Sequence, residues 1–285
     1  MQTLKSIGEL RNLVREWRQA GETVGLVPTM GNLHDGHLQL VNEACNHCSR
    51  VIVSIFVNPT QFSQGGDFDA YPRTLRQDSQ LVNNKSVDCL FIPDVSEIYS
   101  QPNYTSVDVS DLSNVLCGKY RPGHFKGVTT IVCKLFNIVQ PDIAVFGEKD
   151  FQQLVVIRQM VRDLNIPVEI LGIETVREKD GLAMSSRNVY LTPTQRKLAP
   201  LIFQVLSDTI HVISEGMRDF RKLEVEKMEL LQKAGFKPEY FSIRRTLDLG
   251  PAQPKDIYLV ILTAAWLGKA RLIDNLKLNI SSSKR

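Results

Sequence analysis

The chain has 285 residues, 43% apolar and 23% charged, enough to bury a sizeable core without disulfides or metals. Its formal charge of +3 is small and its basic residues are scattered, which argues against a nucleic-acid surface built on charge. The amino-terminal MQTLKSIGELRNLV has no apolar core of signal-peptide length and no stretch approaches ~18 apolar residues, so a soluble, cytoplasmic protein with no membrane partner is expected.

Residues 5–20 place Ile7, Leu10, Leu13, Val14 and Trp17 at helical spacing, with Gly21 where a stop belongs. TVGLVP (23–28) is a short apolar run closed by proline and predicts a buried strand; residues 36–48 predict the next helix. RVIVSIFVNP (50–59), rich in β-branched residues, is the strongest strand signal. A helix over 73–84, a strand over VDCLFIP (87–93) and a short strand over TSVDVS (105–110) follow. GVTTIVCKLFNIV (127–139) reads as a helix, IAVFG (143–147) as a buried strand and 150–164 as a helix. VEILGIETV (168–176) is then the last strand of this half. Apolar strands alternating with helices imply a parallel sheet covered on both faces. The fold class is therefore α/β, with a Rossmann-like doubly wound domain over residues 1–175.

After residue 176 the texture changes. LTPTQRKLAPLIFQVLSDTI (191–210) predicts one helix, opened by Thr192 as N-cap, Pro193 at the first helical position and Gln195 two further on. A second helix over 218–234 and strands in KPEYFSIRR, DIYLVILTAAW and ARLIDNLKL make a smaller α+β domain over 176–285. The SSSKR tail is expected to fray.

Four segments carry chemistry. PTMGNLHDGH (28–37) joins a strand to a helix through a glycine turn, the parts from which nucleotide-phosphate sites are commonly built. His34 and His37, three apart at a helix start, would share a face, and Gly36 removes a side chain where a base or phosphate could come close. The alternative is a pair of surface histidines near a cap. Asn58 and Gln61 fall at the carboxyl end of the 50–59 strand, the ligand edge of doubly wound sheets. Their amides can hold hydroxyl and carboxylate oxygens, while Asn58-Pro59 also suits a plain turn. GEKDFQQ (147–153) leaves another strand end with Lys149 as a mobile cation; Asp150 and Gln153 are equally explained there as a capping box. GLAMSSRN (181–188) offers two hydroxyls and Arg187, whose planar fork suits phosphate oxygens. Cys45-Asn-His-Cys48 has the C-x-x-C form but no second ligand pair at zinc-finger spacing. The five cysteines (Cys45, Cys48, Cys89, Cys117, Cys133) also form no secreted disulfide framework, so free, partly buried thiols are expected.

Taken in order, PTMGNLHDGH, VSIFVNPTQF, DFDAYPRT, RPGHFKGV, VFGEKDFQQ and AMSSRN resemble the pantoate–β-alanine ligase (pantothenate synthetase) family of the HIGH-type nucleotidyltransferases. The match runs from near the N-terminus to at least residue 194. The resemblance implies ATP-dependent condensation of pantoate with β-alanine through an enzyme-bound pantoyl adenylate, in a cytoplasmic homodimer that uses Mg2+. It implies that Met30, Gly31, Asn32, Leu33, His34, Asp35, Gly36 and His37 hold ATP, with His37 as proton donor to the departing pyrophosphate and His34 on phosphate oxygens. Gly147, Glu148, Lys149, Asp150, Val176, Met184, Ser185, Ser186 and Arg187 complete the ATP site, and the smaller domain closes over it. Gln61 and Gln153 hold pantoate, with Asn58 beside them and Gln61 also close to β-alanine. Asp78 matches an acidic position associated with magnesium, although its neighbour Gln77 replaces the acid seen in some members. A loop over 61–70, hinged at Gly65-Gly66, would shield the labile adenylate.

Three other readings compete. An HxGH adenylyltransferase acting on a phosphorylated acceptor is disfavoured by Gln61 and Gln153, since amides suit a hydroxy acid better than a phosphate ester. A non-catalytic ATP sensor is disfavoured by the presence of His34, His37 and Lys149 together. A tRNA synthetase would need a longer chain with a basic anticodon-binding region.

Overall fold

The computed structural model describes residues 1–62, 68–100 and 102–280. The expected hinge at Gly65-Gly66 and the SSSKR tail lie outside those residues. Among the described residues, thirteen α-helices and β-strands follow one another through the first part of the chain. They are β1 (Gln2–Leu4), α1 (Ile7–Gln19), β2 (Val24–Thr29), α2 (Asp35–His47), β3 (Arg50–Ile55), α3 (Leu75–Asn83) and β4 (Cys89–Phe91), then α4 (Val95–Ile98), α5 (Cys117–Tyr120), α6 (His124–Val139), β5 (Ile143–Gly147), α7 (Phe151–Asp163) and β6 (Glu169–Ile173).

The six strands form one sheet in the order β1-β4-β3-β2-β5-β6, and every pairing is parallel. The chain builds outward from β2 through β3 to β4 on one side and through β5 to β6 on the other. The direction therefore reverses between β2 and β5, and such switch points are where open α/β sheets bind ligands. Leu26, Ile52 and Leu90, on three neighbouring strands, are fully buried, each worth about 1.5–3 kcal/mol. Helix α2 covers one face of these strands, with Leu40, Val41 and Ala44 packed into a cluster with Val27, Val53 and Val145. Helix α1 starts where Ser6 accepts from the Glu9 amide and buries Leu10, Leu13, Val14 and Trp17, the stripe read from the sequence.

Two readings of this part need correction. TSVDVS does alternate, with Val107 and Val109 more buried than their neighbours, but it is no strand. Thr130 Oγ1 accepts from the Val107 amide at 2.9 Å and Thr129 Oγ1 donates to the Val107 carbonyl at 2.6 Å, so hydroxyls of α6 take the groups a neighbouring strand would have used. The edge strand β1 was not anticipated, because three residues carry no periodicity.

The later part contains α8 (Pro193–Leu198), α9 (Leu201–Ser214), α10 (Phe220–Lys233), β7 (Lys237–Arg245), β8 (Tyr258–Leu267) and β9 (Ala270–Asn279). The strands form an antiparallel sheet in sequence order, and Ile202, Val205, Leu206 and Ile213 of α9 pack with Phe241, Ile243, Leu259 and Ile261 of the sheet. The Thr192–Gln195 capping box is present as read. The single helix expected over 191–210 is two, because Pro200 has no amide hydrogen to continue the ladder and stands as the N-cap of α9.

The chain divides into two compact units. One contains Met1–Glu148 and Val156–Glu174; the other contains Lys149–Val155 and everything from Thr175 onward. Among the described residues no helix is long and apolar enough to cross a membrane.

Candidate active site

In the first unit the turn between β2 and α2 is strained and strongly held. Gly31 (φ +81°) and Asn32 (φ +51°) both adopt left-handed backbone, and a Cβ on Gly31 would lie 3.1 Å from Asp78 Oδ2 and from Ile55 Cγ2. Asp78 projects from α3 and is 1% exposed. Its Oδ2 accepts from the Asn32 amide at 2.9 Å and its Oδ1 from the Leu33 amide at 2.8 Å, while Thr74 Oγ1 lies 3.2 Å from both oxygens. A buried carboxylate is tolerable because donors surround it, and it returns that compensation by fixing the turn.

His34 is the N-cap of α2. Its Nδ1 accepts from the Gly36 amide at 3.2 Å, and His37 Nδ1 accepts from the His34 amide at 3.3 Å. This is a capping box in which imidazoles replace the usual hydroxyl and carboxylate. An amide only donates, so each neutral ring carries its proton on Nε2. The rings lie 4.1 Å apart, tilted by 47°, at a helix N-terminus, a position that favours an anion.

Beyond β3, Pro59–Gln61 makes one short 3-10 turn. Asn58 is 1% exposed and its amide is fully engaged within the protein. Nδ2 donates to Gln61 Oε1 and to the Gly127 carbonyl, both at 3.0 Å, while Oδ1 accepts from Tyr99 OH at 2.8 Å and Thr60 Oγ1 at 3.0 Å. Through these bonds Asn58 ties the Gln61 side chain to α6, Tyr99 and Thr60. Because Oε1 of Gln61 accepts from Asn58, its Nε2 donor end is turned toward Met30, 3.0 Å from Sδ. That end suits a carboxylate or hydroxyl oxygen. Burial raises the pKa of the Tyr99 hydroxyl, which stays a neutral donor in this network.

In the second unit, Lys149 is largely buried, its Nζ 3.7 Å from Asp150 Oδ2, and Asn275 Nδ2 donates to its carbonyl at 3.0 Å. Gln153 is half-buried in the first turn of α7. The neighbour of Asn275, Asp274, receives Arg177 through two bonds of 2.7 and 2.9 Å, and the Arg177 guanidinium lies 4.3 Å from the centroid of Phe203. Burial pushes the Asp274 carboxyl up against the pull of Arg177. The Val176 carbonyl accepts from Met184, Arg177 bridges to Ala183, and Asn188 Nδ2 donates to the Ala183 carbonyl. The turn so closed presents Met184, Ser185, Ser186 and Arg187, with Ser185 Oγ accepting from the Arg187 amide at 3.2 Å.

Gathered in the first unit, then, are Met30–His37, Asn58, Gln61 and Asp78; in the second, Lys149, Asp150, Gln153, Val176 and Met184–Arg187. Gly147 ends β5 at the switch edge, and Glu148, which follows it, is buried. Sequence reasoning gave no role to Thr74, Tyr99, His124, Asp274 or Asn275. Two of them had a signal, His124 through its place in RPGHFKGV and Thr74 as the last residue of DFDAYPRT. The cysteines are free, as expected; Cys45 is half-buried and Cys48, Cys89 and Cys117 are buried.

Magnesium needs oxygen lone pairs in an open octahedral arrangement. Asp78 does not fit as a direct ligand, since loop amides and Thr74 occupy both its oxygens and solvent does not reach it. Among the described residues, no three His, Cys, Asp or Glu side chains are grouped to hold a metal ion.

A parallel doubly wound sheet with an HxGH turn at its carboxyl edge defines a Rossmann-like α/β protein. Within that class the chain belongs to the pantoate-beta-alanine ligase family, whose model matches residues 2–277. It is thus an enzyme of the ligase class. Pantothenate synthetase from Idiomarina loihiensis is 53% identical over 286 residues, 100% of each chain, and that from Alkalilimnicola ehrlichii 52% identical over 283 residues, 99% of each. Pantothenate synthetase from Thermus thermophilus superposes with a TM-score of 0.91 at 44% identity, covering 97% of this chain and 99% of that one. A pantoate-beta-alanine ligase from Francisella tularensis, solved with beta-gamma ATP and beta-alanine, gives 0.82 at 35% identity and 97% coverage of both chains.

Proposed function

We propose that the protein condenses pantoate with β-alanine at the expense of ATP, through a pantoyl adenylate, giving pantothenate, AMP and pyrophosphate. In the first step a carboxylate oxygen of pantoate attacks the α-phosphorus and the bond to the pyrophosphate oxygen breaks. In the second the amine of β-alanine attacks the acyl carbon, the acyl–oxygen bond to AMP breaks and the amine loses a proton.

The observation that carries this reading is the pair of imidazoles at the start of α2, each held at Nδ1 by a backbone amide and so protonated on Nε2. His37 then donates to the departing pyrophosphate and His34 to a phosphate oxygen. Lys149 and Arg187 offset charge on non-bridging oxygens, which is the main barrier when a carboxylate approaches a polyanion. The backbone of Met30–His37 and the segments Gly147–Asp150, Val176 and Met184–Arg187 receive the nucleotide. Gln61 donates from Nε2 to pantoate and lies near β-alanine; Gln153 provides the second amide, and Asn58 acts by holding Gln61. Mg2+, in this reading, enters with the nucleotide phosphates and not on Asp78. The homodimer and the cytoplasmic location belong to the same proposal. The complex of the Francisella tularensis relative with beta-gamma ATP and beta-alanine supports two of the three substrates.

The test is pyrophosphate release with ATP and Mg2+. A single-turnover burst with D-pantoate alone, becoming steady AMP formation once β-alanine is added, is expected. His37→Ala should reduce the burst rate about 10²–10³-fold. Release with phosphopantetheine or a mononucleotide but none with pantoate would replace this reading by an adenylyltransferase.

A further inference from the structure

Asn58 places the side chain of Gln61, but a different element places its backbone. His124 opens α6 with Nδ1 2.8 Å from the Gln61 carbonyl oxygen and Nε2 3.1 Å from Nη1 of Arg121. A carbonyl only accepts and a guanidinium only donates, so the two contacts together require the neutral ring with its proton on Nδ1. This is the opposite tautomer to the one the amides impose on His34 and His37. Helix α6 also presses directly on the same turn. A Cβ on Gly127 would lie 2.5 Å from the Thr60 carbonyl oxygen and 2.6 Å from the Gln61 amide nitrogen.

We propose that Arg121 and His124 form a positioning relay: Arg121 donates to His124, and His124 donates to the Gln61 carbonyl, fixing the turn that aims the Gln61 amide. The consequence is selective affinity for the hydroxy acid. This rests on the reading of Gln61 as a pantoate ligand. Neither Arg121 nor His124 acts on the reacting atoms; both act through Gln61.

An asparagine at 124 can set its amide nitrogen where Nδ1 now lies, whereas leucine fills the space without a donor. His124→Leu should raise KM for pantoate about tenfold and leave KM for ATP within about twofold, and His124→Asn should recover most of the loss. Arg121→Met should fall between them. A role confined to folding would move both KM values together and give asparagine no advantage. Equal behaviour of the leucine and asparagine variants would overturn the relay, as would a His124 ring protonated on Nε2 in nitrogen-15 spectra of the unaltered protein. The spectra keep the test open if the leucine variant does not fold. Gln61→Ala separates the two claims. If it leaves KM for pantoate unchanged, the reading of Gln61 fails; if it raises KM while His124→Leu does not, only the relay fails.

Discussion

The two candidate turns, Met30–His37 in the first unit and Met184–Arg187 in the second, are held in different ways. The first borrows its rigidity from far along the chain, since Asp78, more than 40 residues on, receives two of its amides. The second is closed mainly by short-range bonds between 176 and 188, and its distant support includes a buried ion pair, Arg177 with Asp274. Both devices place a carboxylate in the interior, but one carboxylate serves backbone amides and the other serves a guanidinium. A charge bound to a charge is lost more expensively than a charge bound to amides, so the two turns should fail by different amounts and in different places.

The larger failure belongs to Arg177. Replacing it with alanine leaves Asp274 buried without its partner, a change that typically costs about 3–5 kcal/mol. Hydrogen exchange should then show faster exchange in peptides spanning 177–188 with little change over 30–37. Equal loosening of both segments would show that the turns are not independently held.

Asp78→Asn is the matching change in the first unit. One oxygen becomes an amide nitrogen facing a backbone N–H, stranding a donor at about 1–3 kcal/mol. The expected signature is the mirror image, faster exchange over 30–37 with 177–188 unchanged, together with a raised KM for ATP. The Mg2+ concentration giving half-maximal activity should stay within about twofold, because the carboxylate is committed to the loop. A rise of about tenfold or more in that midpoint, with exchange over 30–37 unchanged, would make Asp78 a metal ligand after all.

This difference also explains what the sequence could disclose. The order of strands and helices was readable because apolar runs and 3.6-residue spacing are local, and so was the Thr192–Gln195 cap. The HxGH pair was readable for the same reason, as four adjacent residues at a strand-to-helix junction. Asp78 drew notice only by resemblance, since nothing within α3 says that its oxygens face the amides of 32 and 33. The network around Asn58 was hidden similarly: its partners Tyr99 and Gly127 lie 41 and 69 residues away. The strand expected at 105–110 failed because alternation reports which side chains are buried and not what takes the backbone's hydrogen bonds. Thr129 and Thr130 took them.

The smallest effect concerns pH, and it falls on one side of the same comparison, for every cysteine lies in the first unit. Burial pushes the Cys48 thiol up to about 11 and Cys89 to about 12, from an ordinary 9.0. Both raised values mean that the folded state holds the proton more tightly than the unfolded chain. The stabilisation is therefore complete below about pH 9 and is lost as pH climbs through the folded values toward 12. Between pH 9 and 11, thermal stability of the first unit should fall more steeply in the unaltered protein than in a Cys48→Ala/Cys89→Ala variant. The second unit, whose residues include no thiol, should show the same alkaline slope in both. If the double variant keeps the full slope in the first unit, other groups, such as tyrosines and lysines, govern it and the thiols do not. Activity near neutral pH should be indifferent to the substitutions, because a thiol held this far above its usual range has little thiolate to offer as a nucleophile.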